Sequence, residues 1–421
     1  MKFQAPRGTY DILPKDIDKW YFLEKIIKKH LRLFNYKELR FPIFEYEDLF
    51  ERSVGGDSDI VEKEMYVFKD KGDRVLALRP EGTASVARVY IEHSMISSRR
   101  DPLKVFYYGP MFRYARPQKG RYRQFYQFGI EYIGDSSAYA DAEIITIGWK
   151  ILQAANVPDV SLEINSVGCK KCRKNYYAKL KQFLFDRREK FCDDCQRRMN
   201  TNPLRVFDCK NKSCQKELEN APQMLDNLCP DCFDHFENLQ SNLDQLNVDY
   251  QINPRIVRGL DYYTRTAFEY KINYLGAQDA LGGGGRYDGL IEYLGGNSTP
   301  AVGLSMGMER IILAMEESDA QFSKLDTLDV FIIPMDEKYN DKAIEIMKFL
   351  HQSEISAQIA DANTSMGSNF KYCDRNNVKF ALVIGENEIK TRNYALKNIK
   401  THTQKSIDLD NIVEYINKKI K

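Results

Sequence analysis

Arginine, tyrosine and carboxylate side chains concentrate in three separated stretches of this chain. They are Leu78-Arg79-Pro80-Glu81-Gly82-Thr83, the run from Arg113 to Glu131, and Arg258-Gly259-Leu260-Asp261-Tyr262-Tyr263. Phosphoryl chemistry asks little covalent help of a protein: cations on the equatorial oxygens and a held nucleophile do most of it. Arginines without a His or Ser nucleophile suit that chemistry, so the stretches point to a site for a nucleotide and a polar small molecule. A second signal overlaps the first. Arg99, Arg100, Lys104, Arg113, Arg116, Lys119, Arg121 and Arg123 stand close together against the single acid Asp101, interleaved with Phe106, Tyr107, Tyr108, Phe112, Tyr114 and Tyr122. Packing alone gives no reason to gather like charges, which repel. Guanidinium forks fit phosphate oxygens and aromatic faces stack on bases. The plain alternative is a solvated basic surface.

Other chemistries are missing. Gly282-Gly283-Gly284-Gly285-Arg286-Tyr287 lacks the Gly-Lys-Ser/Thr ending of a phosphate-binding P-loop. Gly303-Leu304-Ser305-Met306-Gly307 resembles a nucleophile elbow only superficially, because no acid-then-His order accompanies it. The five histidines (His30, His93, His235, His351, His402) are scattered singly, none at metal-ligand spacing to another, and read as structural or exposed.

Cysteine carries the remaining local signal. Cys169-x2-Cys172, Cys192-x2-Cys195, Cys209-x4-Cys214 and Cys229-x2-Cys232 form close pairs within one segment, while Cys373 stands alone and reads as structural. Thiols stay reduced inside cells, and paired thiolates at this spacing match one or two structural zinc sites. The alternative is a set of small buried hydrophobes, or the remains of a lost site.

The elements that must position these groups follow from periodicity. With 421 residues, 43% hydrophobic and 29% charged, the chain needs two or three domains rather than one core. The net charge of +2 names no polyanionic partner by itself. No apolar run approaches the roughly 20 residues of a membrane span, and Met1 to Arg7 carry no secretory apolar stretch, so a soluble cytoplasmic protein is expected. Trp20, Leu23, Ile26, Ile27, His30 and Leu31 predict an amphipathic helix from Asp16 to Phe34, and a strand is expected from Tyr36 to Phe44. Aromatic and β-branched density predicts an antiparallel sheet between Met65 and Glu131. A helix follows, with Asp141 as its N-cap. A Cys-rich helical region runs from about Gly168 to about Val248. Sheet returns at Arg255 to Tyr270, then a Gly-rich turn at Gly282 to Gly289 and a helix from near Met306. Beyond a linker at Glu316 to Thr327, strands at 330–334, 355–359 and 380–384 around a helix at 339–351 predict a compact α/β domain with a parallel or mixed sheet.

At these same stretches the sequence resembles the histidyl-tRNA synthetases, a family of class II aminoacyl-tRNA synthetases, over nearly its whole length. Pro6-Arg7-Gly8-Thr9-Tyr10-Asp11-Ile12-Leu13-Pro14 is similar to the family's opening. Tyr36 to Phe44 with Pro42 resembles class II motif 1, which implies a homodimer. Tyr108-Gly109-Pro110-Met111-Phe112-Arg113 through Arg121-Tyr122-Arg123-Gln124-Phe125 resembles motif 2, and Gly303 to Arg310 resembles motif 3. The histidine assignment rests on two long stretches, Arg258 to Thr266 and Gly283 to Leu290, which resemble the histidine-specific motifs. The implied fold is an α+β catalytic domain built on an antiparallel sheet at 1–325, with the mostly helical insertion at about 168–248. A C-terminal α/β anticodon-binding domain with a mixed sheet is implied at 328–421.

The resemblance also implies roles. Arg113 and Arg258 would be the catalytic pair, approaching the α-phosphate of ATP from opposite sides, with Arg121 and Arg310 completing the ATP contacts and Arg310 on the γ-phosphate. Glu81 and Thr83 would accept from the α-ammonium of L-histidine, and Gln127 would donate to its carboxylate. Glu131, Tyr263 and Tyr287 would read the imidazole, with Arg258 and Tyr262 lining the same site. Arg116 and Gln118 would touch the acceptor end of tRNA(His). Mg2+ would ride on the outer phosphates, with no protein side chain assigned to it. Many relatives lack the cysteine pairs and need no zinc, so that reading stays open. At one position the chain departs from motif 2: Ala115 stands where a Glu is usual, and a neighbour or the backbone is expected to substitute. The rival is a histidine-sensing regulatory paralogue that assists ATP phosphoribosyltransferase and makes no adenylate.

Overall fold

The spacing of Trp20, Leu23, Ile27 and Leu31 produces helix α1 (Ile17–Leu33), whose buried stripe carries just these residues. In this computed structural model the described residues are 3–54, 60–95, 98–257, 262–272, 280–318, 322 and 327–420. After α1 come β1 (Lys37–Glu38), β2 (Phe44–Tyr46), α2 (Glu47–Val54), β3 (Tyr66–Lys69), β4 (Val75–Leu78) and α3 (Thr83–Glu92). The long hairpin β5 (Leu103–Phe112) and β6 (Gln124–Ile133) leads into α4 (Ala138–Ala154) and β7 (Ser161–Ser166). The insertion holds α5 (Lys170–Phe185), α6 (Asp193–Thr201), α7 (Lys212–Glu217) and α8 (Pro230–Gln245). Then follow β8 (Gln251–Ile252), β9 (Thr264–Lys271), β10 (Ala280–Arg286), α9 (Leu290–Tyr293), β11 (Ala301–Gly307) and α10 (Met308–Glu317).

Eight of these strands form one sheet in the order β1-β5-β6-β11-β10-β9-β7-β8, antiparallel throughout its centre, with parallel pairs only at the two edges. Side chains alternate between the faces of a strand. On β6, Phe128, Ile130 and Tyr132 enter the main core with α1, α4, α8 and α10, and Val302, Leu304 and Met306 of β11 join them. Gln127, Gly129 and Glu131 therefore face the other way. Across the ladder they pair with Gly307, Ser305 and Gly303, and the latter two pair with Gly283 and Gly285 of β10. One face of the sheet is greasy and closed by helices. The other is a floor of glycine and serine, walled by α3, β5 and α9.

Several expectations change. Tyr36 to Phe44 is not one strand: β1 and β2 belong to different sheets, β2 pairing with β4 in a three-stranded sheet β2-β4-β3. The antiparallel region from Met65 to Glu131 is interrupted by α3, and its strands divide between those two sheets. Asp141 does not cap α4. Ser137 holds that position, and Asp141 lies inside the first turn, fully buried against Arg286 at 2.7 Å. Gly282 to Gly289 is no turn, because residues 282–286 form the body of β10 between two partners. Glycine's poor strand propensity gave the wrong signal there. Among the described residues between Arg255 and Tyr270, strand begins at Thr264, and α10 runs to Glu317, so the linker starts later than Glu316.

The chain divides into Met1–Phe322 and Ser323–Lys421. The second unit holds β12 (Val330–Pro334), α11 (Asn340–Gln352), β13 (Ala357–Ile359), α12 (Met366–Asn376), β14 (Phe380–Ile384), α13 (Glu386–Thr391), β15 (Asn393–Asn398), β16 (Gln404–Asp408) and α14 (Leu409–Ile420). Its sheet runs β13-β12-β14-β15-β16, parallel among the first three strands and antiparallel after them, a mixed sheet as expected. Among the described residues no helix is long and apolar enough to cross a membrane.

Candidate active site

The bare face of the sheet opens into a cleft of about 490 Å³ whose lining includes Glu81, Thr83, Arg113, Arg121, Gln127, Tyr262, Tyr263, Tyr287, Ser305 and Arg310. Residues from both ends of the catalytic unit meet because β6 pairs with β5 on one side and β11 on the other. Behind the lining residues Thr83 and Tyr287, and not itself part of the lining, lies Glu131, fully buried. It accepts hydrogen bonds from the Thr83 hydroxyl at 2.8 Å and the Tyr287 hydroxyl at 2.5 Å. Burial raises its carboxyl to about 8, and the Tyr287 and Thr83 bonds only partly offset that. Its side chain lies flat over β11: a Cβ on Gly303 would stand 1.8 Å from Glu131 Oε2. Only glycine allows that approach.

Glu81 accepts from the backbone N–H groups of Thr83, at 2.7 Å, and Ala84, at 2.9 Å, so it anchors the start of α3. Burial raises its pKa despite these bonds. Each carboxylate oxygen has a second lone pair, so Glu81 can still accept from a cation in the cleft. Arg113 follows β5 and donates from Nε to the Pro80 carbonyl at 2.8 Å, with its guanidinium 5.4 Å from the Phe125 ring centroid. Burial lowers its pKa, yet a guanidinium stays charged. Among the described residues its terminal nitrogens hold no partner, which leaves them for an anion.

Arg310, in the first turn of α10, is braced by the carbonyls of Gly120, at 3.0 Å, and Ala280. Arg121 pairs with Glu64 at 2.6 Å. Gln127 donates to Ser305 Oγ at 3.2 Å, and its buried Oε1 has no partner among the described residues. Arg116 and Gln118 are exposed in the β5–β6 loop and do not line the cleft. Arg258 lies outside the described residues, so the expected pairing of Arg113 with Arg258 has no geometry here.

Sequence reasoning missed five groups at or near the cleft, Glu269 of β9 among them. Glu309 accepts from Tyr126 N at 2.7 Å and Tyr10 OH at 3.0 Å, and burial raises it to about 7. Its place beside Arg310 at a helix start was the available signal. Ser305 was passed over as a failed nucleophile elbow. Glu64 and Lys210 had no signal at all, since only tertiary folding brings Glu64 to Arg121 and Lys210 to the cleft lining. Arg79, by contrast, is spent on the carbonyls of Phe41, Pro42 and Pro110 and serves the fold.

In the insertion the eight paired cysteines converge as two groups, Cys169, Cys172, Cys229 and Cys232, and Cys192, Cys195, Cys209 and Cys214. Within each, the sulfurs lie within 4.8 Å of one another, and all are free thiols. Each group could hold a metal ion. His235 is structural, as its isolation implied: its Nε2 lies 2.5 Å from Asp141 in a buried cluster with Arg286 and Thr266.

A family model described as histidyl-tRNA synthetase matches residues 8–311, and one described as an anticodon binding domain matches residues 329–419. A curated histidine–tRNA ligase of Halothermothrix orenii (strain H 168) is 46% identical over 418 residues, covering 99% of this chain and 100% of its own length. One of Clostridioides difficile (strain 630) is 44% identical, with 100% of both chains covered. The crystal structure of apo histidyl-tRNA synthetase from S. aureus superposes with a TM-score of 0.84 at 39% identity, covering 99% of this chain and 100% of that one.

Proposed function

This chain belongs to the histidyl-tRNA synthetase family, and we propose from that premise that its cleft activates L-histidine with ATP and passes it to the 3′ end of tRNA(His). The protein is a histidine–tRNA ligase, an aminoacyl-tRNA synthetase that uses ATP with Mg2+. The observation that carries the reading is the buried Glu131, bonded by the hydroxyls of Thr83 and Tyr287, two residues that line the same cleft as Arg113. An imidazole offers ring nitrogens to a carboxyl and hydroxyls of this kind.

In the reaction, a carboxylate oxygen of histidine attacks the α-phosphorus and pyrophosphate leaves. The terminal ribose hydroxyl of the tRNA then attacks the adenylate carbonyl and displaces AMP. Arg113 spreads the charge that develops on the α-phosphoryl oxygens. Arg258 is assigned the opposite side by resemblance alone. Arg310 takes the γ-phosphate, while Arg121 reaches the phosphates by exchanging or sharing Glu64. Glu81 and Thr83 receive the α-ammonium, Gln127 donates to the carboxylate, and Glu131, Tyr263 and Tyr287 read the ring, with Tyr262 beside them. Arg116 and Gln118, on an exposed loop, suit the acceptor end. Mg2+ neutralises the outer phosphates when bound. The unit from 328 to 421 takes the anticodon.

Glu64 supports survival without the motif 2 carboxylate. It lies 2.6 Å from Arg121, and its backbone carbonyl accepts from Tyr114 N, next to Ala115. A hundredfold gain in exchange for Ala115→Glu would sink that substitution. A homodimer is supported by the small sheet, where Phe44, Tyr46 and Phe68 stand 51%, 58% and 42% exposed on one face. Light scattering that returned a monomer would remove it.

Structural zinc is the metal we assign to both cysteine groups. A tetrahedral centre with Zn–S bonds of about 2.3 Å separates its sulfurs by about 3.8 Å. Cys169 to Cys172 is 3.7 Å, Cys169 to Cys229 is 3.8 Å, and Cys192 to Cys209 is 3.8 Å. A disulfide would need about 2.05 Å.

The test of the whole reading is pyrophosphate exchange with each amino acid in turn. Exchange with histidine alone is expected. Exchange with none would favour a histidine-sensing paralogue, and exchange with another amino acid would move the specificity.

A further inference from the structure

The group Cys169, Cys172, Cys229 and Cys232 sits where two long helices begin. Cys169 is the N-cap of α5 and Cys172 is in its first turn; Cys229 and Cys232 hold the same places on α8. N-cap and third helical positions lie on one side of a helix, so each pair aims two sulfurs one way. The positive ends of both helices favour the concentrated thiolate charge. Cys229 N donates to Cys172 Sγ at 3.1 Å, joining the two turns directly.

Each helix then reaches a tyrosine of the cleft. On the α5 side, Val167 N donates to Arg265 O at 2.7 Å, and Gly168 O accepts from Arg265 N at 3.1 Å and from the Thr264 hydroxyl at 3.2 Å. Gly168 is held at φ +63°, where a Cβ would meet Cys172 Cβ at 2.7 Å, so the first turn of α5 cannot drift from this ladder. Arg173, one turn on, donates to the carbonyls of Val167, at 3.1 Å, and Tyr263. On the α8 side, His235 holds Asp141 at 2.5 Å, Asp141 accepts from Thr266 at 2.7 Å, and its other oxygen lies 2.7 Å from Arg286, the residue before Tyr287. Tyr263 and Tyr287 line the cleft, and Tyr287 bonds the buried Glu131 behind it.

We propose that Zn2+ on Cys169, Cys172, Cys229 and Cys232 clamps the starts of α5 and α8, and through them fixes Tyr263 and Tyr287 at the spacing that admits histidine. The four cysteines are positioning residues, as is Arg173. This rests on the zinc and ligase readings above. The second cysteine group joins α6 to α7; among the described residues no hydrogen bond ties it to β9 or β10, and only Lys210, next to Cys209, reaches the cleft lining, so it serves as the comparison site.

The experiment combines metal analysis with exchange kinetics on full-length protein purified reduced from zinc-replete medium. Wild type is expected to carry zinc at both groups, and C169S/C172S and C192S/C195S to lose one equivalent each. The first variant should raise the histidine KM by about 10-fold or more, with the ATP KM within about 3-fold. C192S/C195S should leave the histidine KM within about 3-fold. Arg173→Ala should keep both metals and still raise the histidine KM, and Cys169→His, which retains ligation, should restore it. If C169S/C172S does not fold, stripping zinc from wild type with an organomercurial, then restoring thiol and zinc, reads the same KM. Wild type with no zinc and freely titrating thiols would overturn the proposal. So would inner-site loss that moves both KM values together or neither. Wild type carrying zinc yet giving no histidine-dependent exchange would instead refute the ligase reading.

Discussion

Glu131 and Gly303 stand opposite each other because two strands hydrogen-bond along their whole length, whereas Cys169 and Cys229 meet although 60 residues separate them and no sheet joins them. The cleft and the cysteine-rich insertion both hold distant side chains at fixed separation. In the cleft the precision is distributed over many backbone hydrogen bonds and a large apolar core on the far face. In the insertion it is local: two long helices, shorter ones and single turns pack around a small core in which cysteines are a large part of the buried residues. A region of that kind resembles a small domain, which gains stability from crosslinks or metals. A distributed frame tolerates loss of one contact and punishes loss of shape, while a local one does the reverse.

Substitutions can break this comparison. The largest effect is expected from Arg113→Ala, which should lower pyrophosphate exchange about 1000-fold while leaving the melting transition in place. A loss under about tenfold would mean that the phosphate binds elsewhere. Gly303→Ala should follow, because its methyl would displace Glu131 from the ring-reading position. We expect the histidine KM to rise about 100-fold, with a stability cost of about 1–3 kcal/mol. An unchanged KM would show that the floor is not what shapes the pocket.

Glu131→Gln sharpens the contrast through pH. The folded carboxyl titrates at about 8, above its ordinary value of 4.5. The stability it contributes is therefore full below about 4.5 and is lost as pH rises through 8, by at most about 5 kcal/mol. Urea unfolding of wild type should weaken between pH 5.5 and 8.5, and the variant should show a flatter profile. Equal slopes would place the titrating group elsewhere. The smallest effect on chemistry belongs to C192S/C195S. Amide exchange across 188–217 should accelerate about 100-fold while β6 and β11 keep their protection. Loosening of those strands as well would show that the two regions share one frame.

Where the pattern was strong, the sequence was legible. The period of α1, the apolar run of β12 and the paired cysteines all led to the right element or cluster. The convergence of the separated stretches was legible too: Arg113 and Tyr287 line one cleft and Glu131 bonds Tyr287 behind it. The misses have physical causes. Glycines that read as a turn form β10, since propensity says nothing about neighbours that come close on both sides. Asp141 read as a cap because Asp often is one, yet the buried Arg286 claims it. Lys210 and Glu64 reach the cleft region only through tertiary folding, which no local window contains.

A glycine directly under a buried carboxyl has a consequence for how such a pocket can change. At Gly303 selectivity cannot be adjusted by trimming, because nothing remains to trim, and an added methyl intrudes on the Glu131 carboxyl. Room for a bulkier or methylated substrate analogue must come from the walls, at Thr83, Tyr263 or Tyr287. New specificities should therefore arise by swapping hydroxyl-bearing residues at the sides while the base of the pocket stays as it is.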